Sequence, residues 1–187
     1  TLEANLVVLE GNTFESCGNI EIIRSVAKID GCTFTENYYN GGEGGAIEAG
    51  YLSDVTVTNS KFTMNGAQDK GGAIYARGKL NIHNTEFIGN GAGLGGAIYI
   101  TGESSDPVNI TNCVFDSNVD LNGYRNIYSE STTRKFNLKF NEYDLHLNID
   151  AKDGSYGLDY ILDGNFDWGC NLDNNYTLLA GIRDDEN

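Results

Sequence analysis

With 187 residues, 24 glycines against a single proline, 40% apolar residues and a formal net charge of −15, the chain is acidic and rich in corners, yet apolar enough to build a core. That balance speaks against a helical bundle, since no long stretch places apolar residues at helical spacing. The charge disfavours nucleic acid and anionic membrane surfaces as partners, because both need a basic footprint.

The chain opens almost directly on a strand-like pattern, "LVVLEG". This start is expected of a segment cut from a longer, anchored chain whose targeting signal lies elsewhere. No apolar run reaches the length of a membrane-spanning helix.

Five units follow, marked by "TFESC", "TFTEN", "KFTMN", "EFIGN" and "VFDSN". Their phenylalanines, Phe14, Phe34, Phe62, Phe87 and Phe115, stand 20, 28, 25 and 28 residues apart. Uneven periods of this size fit a solenoid whose corners accept insertions while its strands keep register. Before each phenylalanine lies a short alternating strand. Val55 and Val57, Leu80 and Ile82, and Val108 and Ile110 fall on one face. Thr56, Thr58, Asn81, His83, Asn109 and Thr111 fall on the other.

Each phenylalanine is followed three residues later by Asn37, Asn65, Asn90 or Asn118, the first unit having Cys17 there. Asparagines repeated at one corner are expected to form an amide ladder. Then come paired glycines in "GGAI" at residues 44–47, 71–74 and 95–98. Glycine allows the positive φ of a sharp corner, and its missing side chain lets the next coil approach. The expected fold is all-β: a right-handed parallel β-helix of about five coils over residues 1–141. Residues 142–187, where the texture changes to "YGLDYILDGNFDWGCN", are expected to form a small β cap or part of an immunoglobulin-like module.

Cys17, Cys32, Cys113 and Cys170 have neither zinc-site spacing nor histidine partners, so no metal and no cofactor is expected. Cys32 and Cys113 share a column three coils apart, roughly 14 Å at about 4.8 Å per coil. That is beyond disulfide reach, so the two are expected to be unpaired with each other.

A catalytic site would need acidic or basic groups converging on the outward columns. Asp30, Thr58, His83 and Thr111 form one column with a single acid, and Glu43, Asp69 and Lys70 lie near the glycine corners without an evident convergence. Neither the carboxylate pair of a hydrolase nor the calcium-and-base set of a lyase is legible. No enzymatic activity is therefore expected, although a β-helical polysaccharide lyase or hydrolase remains the less favoured alternative. The residues that follow Ile47, Ile74, Ile98 and Ile127 should point outward. They place Tyr75, Tyr99 and Tyr128 in an exposed aromatic strip about 10 Å long. It is suited to sugar rings or to a protein partner, the alternative being cross-coil stacking that only stabilises the sheet. Tyr38 and Tyr39, in a longer corner, are a second candidate contact. Asn109 and Asn175 head Asn-x-Thr sequons and are candidate glycosylation sites.

The combination of Gly-Gly-Ala-Ile with Phe-x-x-Asn resembles the repeats of chlamydial polymorphic outer-membrane proteins, and still more those of adhesin-like surface proteins of methanogenic archaea. The resemblance covers about residues 1–130. It implies a right-handed parallel β-helix in an extracellular, surface-anchored protein that attaches to a glycan or protein of another cell. A structural spacer within a larger surface protein is the alternative role.

Overall fold

The computed structural model describes residues 5–15, 19–102, 106–121, 126–131, 136–139, 142–143, 149–151 and 160–163. Three parallel sheets wind around one apolar interior. Sheet A takes the long strands, Asn5–Glu10, Ser25–Asp30, Asp54–Thr58, Lys79–His83, Val108–Thr111, Phe136–Lys139 and Tyr160–Asp163. Sheet B takes the three-residue phenylalanine strands from Thr13–Glu15 to Val114–Asp116 and ends on Glu142–Tyr143. Sheet C takes Ile20–Ile22, Ile47–Ala49, Ile74–Ala76, Ile98–Ile100, Ile127–Ser129 and Ile149–Ala151. Every pairing is parallel and joins each strand to its equivalent one winding away, which defines a parallel β-helix.

Register follows the repeat. Phe14, Phe34, Phe62, Phe87 and Phe115 are successive Cα partners. Inside, the rings of Phe34 and Phe62, Phe62 and Phe87, and Phe87 and Phe115 stack with centroids 4.5, 4.9 and 4.9 Å apart. Val55, Val57, Leu80, Ile82, Val108 and Ile110 line the interior from sheet A, and Ile47, Ile74, Ile98 and Ile127 from sheet C. Each such side chain contributes about 1.5–3 kcal/mol by leaving water. The alternation legible in the strands therefore determines which face is the inside.

The corner after sheet B carries the amide ladder. Asn65 Nδ2 donates to Asn90 Oδ1 at 3.0 Å, and Asn90 Nδ2 to Asn118 Oδ1 at 2.8 Å. Each also donates to a backbone carbonyl of the preceding winding, Phe34 and Phe62 respectively, while each Oδ1 accepts the backbone N–H below it. Asn118 passes the chain on to Asn126 Oδ1 at 2.9 Å. Buried polar groups at a tight corner are thereby paired along the axis.

The glycine corner works as its sequence implies. Gly44, Gly71 and Gly95 have φ of +68°, +66° and +63°, a region that residues with a Cβ rarely adopt. Their neighbours Gly45, Gly72 and Gly96 sit where any Cβ would meet backbone of the adjacent winding.

Parallel pairing continues past residue 141. Glu142–Tyr143, Ile149–Ala151 and Tyr160–Asp163 pair in parallel with the last strands of sheets B, C and A. These strands continue the helix, as parallel pairing with an open edge allows. What was expected of residues 164–187 lies outside the described residues.

Candidate functional site

The tyrosine strip is present in register but is not an exposed surface. Tyr75, Tyr99 and Tyr128 are consecutive Cα partners on sheet C, and their rings stack with centroids 5.7 and 5.2 Å apart. They are only 6%, 1% and 9% exposed, which corrects the expectation of an accessible aromatic face. The cause is the longer corner. Residues Glu43, Lys70 and Leu94 bridge one another across successive windings, and this layer folds over the tyrosines. Lys70 Nζ stands 4.8 Å from the centre of the Tyr99 ring, and Leu94 packs against the cluster. A cation over an aromatic face is attractive, so the three rings form a second, smaller core.

Polar groups close this core at its rim. Tyr99 donates its hydroxyl to Glu130 Oε2 at 2.8 Å, as does Thr101 at 3.1 Å. Lys70 Nζ lies 3.9 Å from Glu43 and 3.8 Å from Glu130. Lys70 and Glu43 thus do converge, contrary to the sequence expectation, and Glu130 joins them from a corner that sequence reasoning had not singled out. Asp69 instead lies beside Gly42. Burial pushes the Tyr75 phenol up to about 12, with the Glu43 charge adding to it. The Tyr99 phenol is raised further, first by burial and then by its bond to Glu130. Glu48, next to this rim, is raised by burial and by repulsion from Glu21 and Glu43.

Tyr38 and Tyr39 behave differently from that stack. They form a two-residue strand paired with Gly66–Ala67. The Tyr38 ring lies against Gly66 and is 58% exposed, whereas Tyr39 is half-buried against Gly41. Tyr38 is therefore the accessible aromatic side chain of the two.

Asn109 is bound into a ladder on the outer face of sheet A. Its Nδ2 donates to Asn81 Oδ1 at 2.7 Å, and its Oδ1 accepts from Asn137 Nδ2 at 2.6 Å. The amide that a glycan would modify is thus engaged on both sides. Asn175, Cys17 and Cys170 lie outside the described residues.

A trough about 380 Å³ in volume runs along the helix axis at the corner between sheets A and B. Its floor contains Cys32, Ser60 and Thr85, one wall Gly31, Asn59, Asn84 and Asn112, and the other Thr33, Lys61, Glu86 and Val114. The wall residues Gly31, Asn59, Asn84 and Asn112 have φ of +59°, +51°, +48° and +54°. Asparagine tolerates this left-handed geometry better than other side chains with a Cβ.

These outer amides make their own ladder. Asn84 Nδ2 donates to Asn59 Oδ1 at 2.7 Å and Asn112 Nδ2 to Asn84 Oδ1 at 3.1 Å. At the far end Asp30 Oδ1 accepts from Thr58 at 2.6 Å and from Asn59 at 2.7 Å. Those two bonds hold the Asp30 carboxyl below its ordinary range. His83, in the same outward column, pairs its Nδ1 with Thr111 Oγ1 at 2.8 Å. Lys61 and Glu86 form an ion pair of 2.9 Å on the opposite wall. The asparagine column is legible as the residue after each sheet A strand, "TNS", "HNT" and "TNC", although it lies outside the strand columns themselves.

The floor explains the cysteines. Ser60 and Thr85 donate their hydroxyls to the carbonyls of Thr58 and His83. Cys32 and Cys113 donate their thiols in the same way to Asp30 and Thr111, at 3.4 and 3.2 Å. The column selects a small side chain with one donor, and both cysteines are buried thiols outside any disulfide. Burial pushes the Cys113 thiol up to about 12. Among the described residues no group of three or more His, Cys, Asp or Glu is arranged to hold a metal ion.

Stacked parallel coils, ladders on inner and outer corners and a phenylalanine column define the class: a parallel β-helix repeat protein. The family model described as a right-handed β-helix region matches residues 2–143, and the chain belongs to that family. No solved structure matches the chain.

Proposed function

We propose that this chain is a noncatalytic attachment module of a longer, surface-anchored extracellular protein, meeting a glycan or protein of another cell along its outer faces. The trough between sheets A and B carries this reading. It offers a rigid, repeated row of polar groups, already oriented by their own hydrogen bonds, so a partner would meet little ordering cost. The accessible Tyr38 ring supports the same reading, as does the resemblance of the Gly-Gly-Ala-Ile and Phe-x-x-Asn repeats to adhesin-like surface proteins. The buried tyrosines are not part of the proposed contact surface.

Beads coated with the chain should retain cells or cell-surface glycans, and the protein should release no product from polyuronides. Beads that retain nothing, or measurable product release, would overturn the reading. A spacer role is the second reading, favoured by the unbroken register of three sheets along one axis. Under it, the isolated chain would bind nothing while the complete surface protein still attached.

A further inference from the structure

Attachment to a glycan leaves open which chemistry the trough accepts. From its geometry we infer that the trough between sheets A and B is a binding site for a neutral, extended, β-linked polysaccharide chain lying along the helix axis, with about one sugar ring per winding. This inference rests on the attachment reading and gives it a site and a ligand class.

The first argument is hydrogen-bonding capacity. A side-chain amide has two N–H donors and two acceptor lone pairs. Asn84 spends one donor on Asn59 and one acceptor on Asn112. Asn59 spends one donor on Asp30 and one acceptor on Asn84. One N–H and one lone pair therefore remain on each for a ligand, repeated winding after winding. A sugar hydroxyl donates and accepts through one atom, so it suits this mixed offer.

The second argument is spacing. The amides recur at the winding distance of ~4.8 Å. A β-linked pyranose chain with equatorial links advances by slightly more than that distance per ring with alternate rings turned over, so its rings stay near register over these few windings and present hydroxyls from either edge in turn. An extended peptide advances ~3.3 Å per residue and falls out of register after one winding. The row from Gly31 to Asn112 spans three winding distances, on the order of 14 Å, which is room for about four rings.

The third argument is charge. Asp30 stands at one end of the trough, Glu86 is neutralised by Lys61, and the whole chain carries −15. A polyuronate would approach a like-charged surface with no unpaired cation on the trough walls to receive it. A neutral chain avoids that repulsion.

The test is titration calorimetry of the full chain against neutral β-1,4-linked hexamers of glucose, mannose and N-acetylglucosamine, with oligogalacturonate and a neutral Ser/Asn peptide alongside. At least one neutral hexamer should bind, and the other two classes should not. Asn84→Gly removes one amide while keeping a residue at ease with positive φ. It should weaken binding roughly three- to tenfold, the loss of about one or two hydrogen bonds. Asn81→Ser, on the outer face of sheet A and away from the trough, should leave binding unchanged. Absence of binding by every neutral hexamer, preference for the acidic oligomer or peptide, or an unaltered affinity in Asn84→Gly would each overturn the inference. Should beads still retain cells in that event, attachment survives and only the assigned site and ligand fail.

Discussion

Asn90 illustrates how much a single side chain does in this architecture. Its Oδ1 accepts the backbone and side-chain N–H of Asn65, and its Nδ2 donates to the Phe62 carbonyl and to Asn118. Asn90→Ala would remove four buried side-chain hydrogen bonds at once, among them the acceptor of the Asn65 backbone N–H. It is expected to cost about 2–4 kcal/mol, read as a lower urea midpoint at constant slope. Tyr75 gives a test by pH. Its phenol ionises at about 12 in the folded chain against an ordinary 10.0. Between these values the unfolded chain has already released the proton that the folded chain retains. Stability therefore falls as pH rises through that window, and the contribution is present in full below the lower value. Tyr75→Phe should show a shallower loss of stability across the same window, measured by urea denaturation at stepwise alkaline pH. Equal slopes for the two proteins would contradict the assignment.

At the scale of the element, corners are more demanding than strands. The strands of sheets A, B and C up to Ile127–Ser129 are three to six residues long, and their alternation can be satisfied by many apolar pairs. The glycine corners admit no such freedom. A Cβ on Gly72 would run into the Gly96 carbonyl and the Gly91 backbone, so Gly72→Ala is expected to cost at least ~3 kcal/mol by forcing adjacent windings apart. Gly11→Ala is the comparison. Its φ is +60°, but no atom lies within 4 Å of the added carbon. Only the backbone penalty of about 1–2 kcal/mol applies there. Thermal denaturation of the two variants should separate steric from conformational cost. The sequence marks the glycine-pair corner, because paired glycines recur three times at the same place. It does not mark the covering layer over Tyr75, Tyr99 and Tyr128. Lys70, Leu94 and Glu130 reach those rings from different windings, and no local spacing records that approach.

For the whole molecule, charge is the dominant global property. A net charge of −15 on 187 residues makes the compact chain repel itself. Raising ionic strength from about 0.01 M to 0.15 M shortens the screening length from ~30 Å to ~8 Å. The melting temperature is expected to rise by about 2–4 °C, the equivalent of ~1 kcal/mol for a chain of this size. An unchanged or lower melting temperature would mean that local ion pairs such as Lys61–Glu86 and Lys79–Asp54 outweigh the general repulsion. The axial arrangement also spreads stability along the stack, since each winding contacts mainly its neighbours.

What the amino-acid order determined alone was the column: which residues repeat, which face of each strand is apolar, where the chain must turn. Phe34, Phe62, Phe87 and Phe115, the inner asparagines and the glycine pairs follow from it, because a winding can stack only when like residues meet like. Exposure was decided by the tertiary structure. An outward side chain is accessible only if no corner insertion reaches over it. Insertions of different length place Lys70 and Leu94 above the tyrosines while leaving Asn59, Asn84 and Asn112 open. Covering depends on where distant segments end in space, and a linear pattern carries no measure of that.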